Sequence, residues 1–355
     1  MSNAKRPPRV NAIFAILIIG LIAFILYLYF YVNPKQVISI LSRTNLYYYT
    51  AAFVAYFVFT FFSALVWRNL LNNLSVKIST RKVLLFTWVG LFFEATVPQL
   101  GWSGEISKTY MLTKDTDYDT GKVASSVVGQ KIFTITITDV ALGLGLGLVL
   151  INYPLPFIVT FFIALVLALS IVSLLLIYYV SLKPKATKTL LNWGIRIASF
   201  FRKKWNSQNF SLRAENVLGK FHSGIKDLKS DPKALVKPII YAIISFIFEV
   251  SVIFLTFIAL GYPVPVDKVL IVFTLTGTLQ TVGVTFFGFP ELIMSVSFTA
   301  LGIPAALSVS ITLLTRVVTL WFRLIVSYSA LQLAGIKIMQ RKQNNGSTIY
   351  QNKFK

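Results

Sequence analysis

The chain has no cysteine, one histidine and only twelve acidic residues in 355. The lack of cysteine excludes disulfides, thiolate nucleophiles and Cys-ligated zinc. The lone histidine, His222, stands in a basic stretch and leaves little for a His-based metal site or a Ser-His-Asp triad. Charge of any sign is scarce at 13%, while hydrophobic residues reach 56%, a balance that belongs to a membrane protein rather than a soluble domain. The 34 Lys and Arg residues outweigh the acids to give +22. Cations strung between membrane spans fit the positive-inside rule and attraction to anionic lipid head groups, not nucleic-acid binding.

Long apolar runs are what the chain has most of. Candidate spans are Asn11–Val32, Leu46–Trp67, Val83–Val97, Val123–Ile151, Leu155–Leu182, Leu235–Leu260, Val269–Phe287 and Ile303–Leu333. Most reach the ~20 residues a helix needs to cross a bilayer. The first is too long for a signal peptide and lacks its small-residue cleavage site, so it is expected to stay in the mature protein.

Charge fixes the expected topology. Lys5, Arg6 and Arg9 place the N-terminus in the cytoplasm, as do Arg68, Lys77, Arg81 and Lys82 for the second loop. The segment 183–237 carries thirteen Lys or Arg against Glu215, Asp227 and Asp231, and the polar tail, 341–355, follows Lys337. Counting every run as a full crossing would strand 183–237 outside. The parity is restored if Val83–Val97 turns at Pro98, Gly101 and Gly104 and returns to its own side. The same holds if Val269–Phe287 turns at Gly288 and Pro290 and returns through Leu292–Gly302. The expectation is an all-α polytopic membrane protein, one domain over 1–340. It would have about six full spans and two opposed re-entrant elements in an inverted-repeat-like arrangement, as in alternating-access carriers. Both termini would be cytoplasmic. Two amphipathic stretches, Ala186–Trp205 and Phe210–Lys229, read as a hairpin that lies on the inner leaflet, packs on the bundle, or both.

The re-entrant elements also concentrate the chemistry. Each couples Gly, Pro and an aromatic residue to a Glu: Pro98-Gln99-Leu100-Gly101-Trp102-Ser103-Gly104-Glu105 in the first, Gly288-Phe289-Pro290-Glu291 in the second. A cation follows each Glu by 26 or 25 residues, Lys131 and Arg316. Ionisable groups within apolar spans are site candidates because they are costly there without work or a partner. The candidate substrate-binding set is Glu105, Lys108, Lys131, Glu291 and Arg316, supported by Glu94, Asp139, Glu249 and Arg323. The bland alternative is that Glu105–Lys131 and Glu291–Arg316 simply neutralise each other. Arg323, near a helix end, reads as a snorkelling side chain. In the functional reading, Lys131 and Arg316 hold an anionic head group, the guanidinium bidentately, with helix N-termini near Gly104 and Pro290 adding amide donors.

Other strings are weaker. Gly143-Leu144-Gly145-Leu146-Gly147 follows no strand and reads as a helix-packing face, so no nucleotide cofactor is expected. Asp115-Thr116-Asp117 matches an Asp-x-Asp pattern of metal-dependent glycosyltransferases and is the one alternative metal site.

The pattern Pro98…Gly101…Gly104-Glu105…Lys131…Asp139, with Gly288…Pro290-Glu291…Gly302…Arg316…Trp321, resembles the lysylphosphatidylglycerol synthase transmembrane-region family over Asn11 to Gly335. Departures are Trp102-Ser103 within the first Gly pair, Lys131 where Arg is usual, and Pro290 in place of Gly. The resemblance implies a flippase-like module without the soluble aminoacyl-transferase domain that bacterial members carry. It would move an anionic lipid or a polyprenyl-phosphate-linked sugar between leaflets, beside a lipid-modifying or glycan-assembly enzyme. A membrane glycosyltransferase and a scaffold in lipid-linked glycan assembly are the alternative functions. The oligomeric state is left open.

Overall fold

The structure is a computed structural model. It describes residues 34–97, 102–154, 156–201, 207–281 and 288–335, with isolated positions between 22 and 30; side chains between 194 and 213 are not described. The span Asn11–Val32 (those positions apart), the turn residues Pro98 and Gly101, and the tail 341–355 lie outside the described residues.

All regular structure among the described residues is helical. In chain order the helices are α1 (Pro34–Leu41), α2 (Leu46–Asn73), α3 (Thr80–Thr96), α4 (Ser103–Asp115), α5 (Thr120–Asn152) and α6 (Phe157–Leu182). They continue with α7 (Pro184–Phe201), α8 (Ser207–Ser230), α9 (Pro232–Ala259), α10 (Val266–Thr281), α11 (Phe289–Ala300) and α12 (Ala305–Gly335). Five of them, α2, α5, α6, α9 and α12, are long and apolar enough to cross a membrane. These are five of the six expected full spans; the sixth is Asn11–Val32. The helices α3–α4 and α10–α11 form two shorter pairs, of 17 and 13 residues and of 16 and 12. They occupy the segments whose length and charge parity marked them out in the sequence. At ~1.5 Å per residue the 12- and 13-residue arms fall short of a bilayer's hydrocarbon thickness.

Helices α2 and α9 make the broadest contact in the molecule. Ser245 Oγ donates to the Phe59 backbone oxygen (3.1 Å), and Phe62 stacks on Phe248. Such polar bonds between apolar helices are the glue available when lipid is as apolar as Leu. One apolar core, with Trp67, Leu70 and Val89, takes in the first short pair; a second, with Leu142, Phe257 and Phe298, takes in the other. Helix α5 joins them, giving Val123 and Val127 to the first core and Leu142 and Val149 to the second. Between those residues it carries Gln130, Lys131, Thr134 and Asp139. A polar belt thus separates two apolar cores.

The outward faces stay apolar: Ile151 and Phe157 are more than 80% exposed, and Leu175 and Ile325 at least 60%. Surfaces of this kind require hydrocarbon around them. The glycine string in α5 does pack a helix closely. A Cβ on Gly145 would lie 3.2 Å from the Ile271 backbone nitrogen, so α10 crosses α5 there. Of the amphipathic hairpin, α8 packs on α5, with Gly224 against Ser125 and Leu228 buried. On α7, Leu190 and Trp193 remain exposed.

Candidate functional site: a charged cavity between two short helix pairs

The first short pair is closed by glycine. A Cβ on Gly104 would sit 2.8 Å from the Gly90 carbonyl oxygen, so no larger residue fits without moving a helix. Ser103 Oγ donates to the Phe93 backbone oxygen across the pair (3.1 Å). This approach sets Glu105, in the first turn of α4, against Lys131 of α5 at 3.0 Å. Lys131 also stands 5.8 Å from the Trp102 ring centroid. One turn along α4, Lys108 is buried; it donates to Gln130 Oε1 (2.8 Å) and lies over the Trp67 ring. Gln130 in turn donates to Ser63.

The second arm of the second pair, α11, starts after Gly288, whose φ of +93° favours glycine. Pro290 occupies the first turn of α11, where a missing N–H costs nothing. Glu291 is used twice: Oε2 accepts from the Gly288 N–H (2.8 Å), and Oε1 accepts from Arg316 Nε at 2.6 Å. A π-helical turn, Val317–Phe322, follows Arg316, and Arg323 comes directly after it. Inserted turns of this kind recur at functional sites because they re-aim side chains. Arg316 and Arg323 both line one cavity here.

Two polar cavities, of about 170 and 180 Å³, meet between the pairs. Glu94, Lys131, Thr134, Glu249 and Arg323 line both. Glu105 and Lys108 open onto the first, Asp139 and Arg316 onto the second. Four carboxylates and four cations therefore wall the space, with Glu291 behind Arg316. Asp139 accepts from Ser170 Oγ at 2.6 Å. Arg323 bonds Tyr56 and feels the charges of Glu94 and Glu249. Three charged atoms, Glu105 Oε2, Asp139 Oδ2 and Arg323 Nε, are buried without a hydrogen bond among the described residues. Groups left in that state call for an explanation such as a ligand or ion.

Every candidate charge from the sequence thus falls in or beside one space. One detail differs from expectation. Arg323 does not snorkel; it turns into the cavity beside Tyr56. Lys131 and Arg316 each hold a Glu, the pairing that the sequence offered as its alternative reading. The hydroxyls of Thr109 and Thr134 return to their own helix, donating to the Glu105 and Gln130 carbonyls. Asp115 is in a 2.7 Å ion pair with Lys82, and the described residues bring no three His, Cys, Asp or Glu side chains together for a metal. Sequence reasoning missed Gln130 and Tyr56. A glutamine inside an apolar run was a usable signal; nothing distinguished Tyr56 among sixteen tyrosines.

These features define an all-helical, multi-pass membrane protein with ionisable side chains gathered between its helices. The chain belongs to the family described as the lysylphosphatidylglycerol synthase TM region, whose match covers residues 13–327. It is similar to a UPF0104 membrane protein of Methanocaldococcus jannaschii, 27% identical over 92% of this chain and 96% of that protein. Similar proteins of the same designation occur in Pyrococcus horikoshii (22% identical; 87% of this chain, 93% of that protein) and Methanothermobacter thermautotrophicus (22%; 87% and 92%).

Proposed function

We propose that this protein carries the anionic head group of a membrane lipid, or of a polyprenyl-phosphate-linked sugar, between leaflets through the charged cavity. The observation behind this reading is the set of buried side-chain atoms without a hydrogen bond among the described residues, Glu105 Oε2, Asp139 Oδ2 and Arg323 Nε, around one space between the helices. A phosphate would be received by Lys131 and Arg323, which face both cavities, with Arg316 on the second side. Arg suits phosphate through its bidentate fork. Because the wall holds as many carboxylates as cations, the anion enters by partner exchange. Phosphate takes the place of Glu105 on Lys131, and the released carboxylate turns to Lys108 or takes up a proton. The two short pairs act as re-entrant gates opening to opposite faces, with both termini and segment 183–237 on the cytoplasmic side.

The test is leaflet exchange in proteoliposomes, using a fluorescent anionic lipid or a polyprenyl-phosphate analogue and an impermeant quencher. Protein-dependent exchange, lost on Lys131→Ala and on Arg316→Ala in folded protein, is the expected result. Exchange at the unmodified rate in both variants overturns the binding role. The sidedness is checked separately by placing single cysteines in this cysteine-free chain and labelling them with an impermeant reagent.

A further inference from the structure

Behind the second short pair lies a groove of different character. It holds about 610 Å³ and is lined by Phe161 and Leu165 of α6, Ile271 and Leu275 of α10, and Ile293 and Val296 of α11, among others. Ser297 is the one polar side chain in its lining. Helix α10 is the partition: Ile271 and Leu275 face the groove, while Phe273, Gly277 and Thr278 face the charged cavity. At one end the groove is bounded by Ala300 and Leu301. There Lys268 Nζ donates to the Leu301 backbone oxygen at 2.6 Å and lies 4.6 Å from the Tyr153 ring centroid. No carboxylate pairs with this ammonium among the described residues. The neighbouring Asp267 carboxylate is instead engaged by the Asn152 amide and by the Lys268 backbone N–H.

We propose that this groove seats the hydrocarbon chain of a phosphate-headed membrane lipid, with the phosphate on Lys268. The inference rests on the reading of the protein as a lipid carrier and adds a waiting site beside the path. Three observations choose the occupant. The walls belong to a membrane span and a short pair beside it, with Ile158 69% exposed, so bilayer hydrocarbon is the medium that meets them. The surface is concave, and a straight helix of a second copy would bridge it and leave a void, which costs packing. The cation beside its end, Lys268, which bonds the backbone of the lining residue Leu301, has two further N–H donors, which suits an anionic head group.

The test uses the cysteine-free background. Val296→Cys, in the groove, and Ile325→Cys, on the open face of α12, are each labelled with bimane. The proteins are placed in phosphatidylcholine vesicles doped with brominated-chain phosphatidylglycerol or brominated-chain phosphatidylcholine. At position 296 the anionic lipid should associate about fivefold more strongly than the neutral one, the size expected for one lysine near an anionic head group. Lys268→Gln should abolish that preference, Lys268→Arg should keep it, and position 325 should show none. Equal quenching by the two lipids at 296, or none by either, overturns the proposal. Unbrominated phosphatidic acid and polyprenyl phosphate, added as competitors, separate a diacyl from an isoprenoid occupant; relief by neither also overturns it. Since quenching reads occupancy and not transport, a positive result with no leaflet exchange would refute the carrier reading while retaining the seat.

Discussion

The two short helix pairs hold nearly the same residues in different states. Glu291 spends both its oxygens on protein: one caps the start of α11 at Gly288, the other holds Arg316. Glu105 spends one oxygen on Lys131, and the other is buried without a hydrogen bond among the described residues. Its pair also has company. Lys108 and Glu94 act on the same two charges, so Lys131 has a second carboxylate at hand if Glu105 leaves. Arg316 is held by Glu291 alone among the ion pairs of the described residues, and the next charge acting on it is the like charge of Arg323. The second pair is therefore built as an anchor and the first as an exchangeable contact, although their sequences look like copies.

The largest effect should come from breaking the anchor. Glu291→Ala leaves Arg316 buried without its carboxylate and the Gly288 N–H without its acceptor. The expected loss is about 3–5 kcal/mol, read as a large fall in thermal unfolding temperature in detergent. Next comes Gly104→Val. Its added atoms meet the Gly90 carbonyl, and overpacking of this kind costs about 1–3 kcal/mol; Gly90→Ala, whose Cβ would have 3.1 Å to the facing oxygen, should cost less. Smaller again is Glu105→Gln, about 1–2 kcal/mol, because Glu94 remains to balance Lys131. A double-mutant cycle sharpens the contrast. The coupling energy of Glu291 with Arg316 should exceed that of Glu105 with Lys131, within the ~0.5–3 kcal/mol usual for contacting residues. Equal couplings would remove the distinction between anchor and exchangeable contact.

Much of this was legible in the sequence, for physical reasons. A charge inside an apolar run has few explanations, so Glu105, Lys131, Glu291 and Arg316 announced themselves, and their two ion pairs are those the spacing suggested. Gly and Pro within apolar runs likewise marked the short pairs. Less legible was the geometry of α12. Six residues separate Arg316 from Arg323, and periodicity cannot show that they form a π-helical turn. The position of Arg323 near a helix end suggested water, while the fold turns it toward Tyr56 and Glu249. The apolar groove was illegible because Ile271, Leu275 and Val296 look like any lipid-facing residues until α6 is placed beside them. Lys268, one position before the run Val269–Phe287, carried no signal for the same reason.

The most direct test removes the first pair without leaving a lone charge. Glu105→Gln combined with Lys131→Met keeps the cavity's net charge and side-chain volume close to the original, and replacing both members of a buried pair is often neutral for stability. The account predicts a folded protein, near the unmodified unfolding temperature, that no longer exchanges anionic lipid between leaflets in proteoliposomes. A folded double variant that exchanges lipid at the original rate would contradict it and leave the pair a purely structural contact.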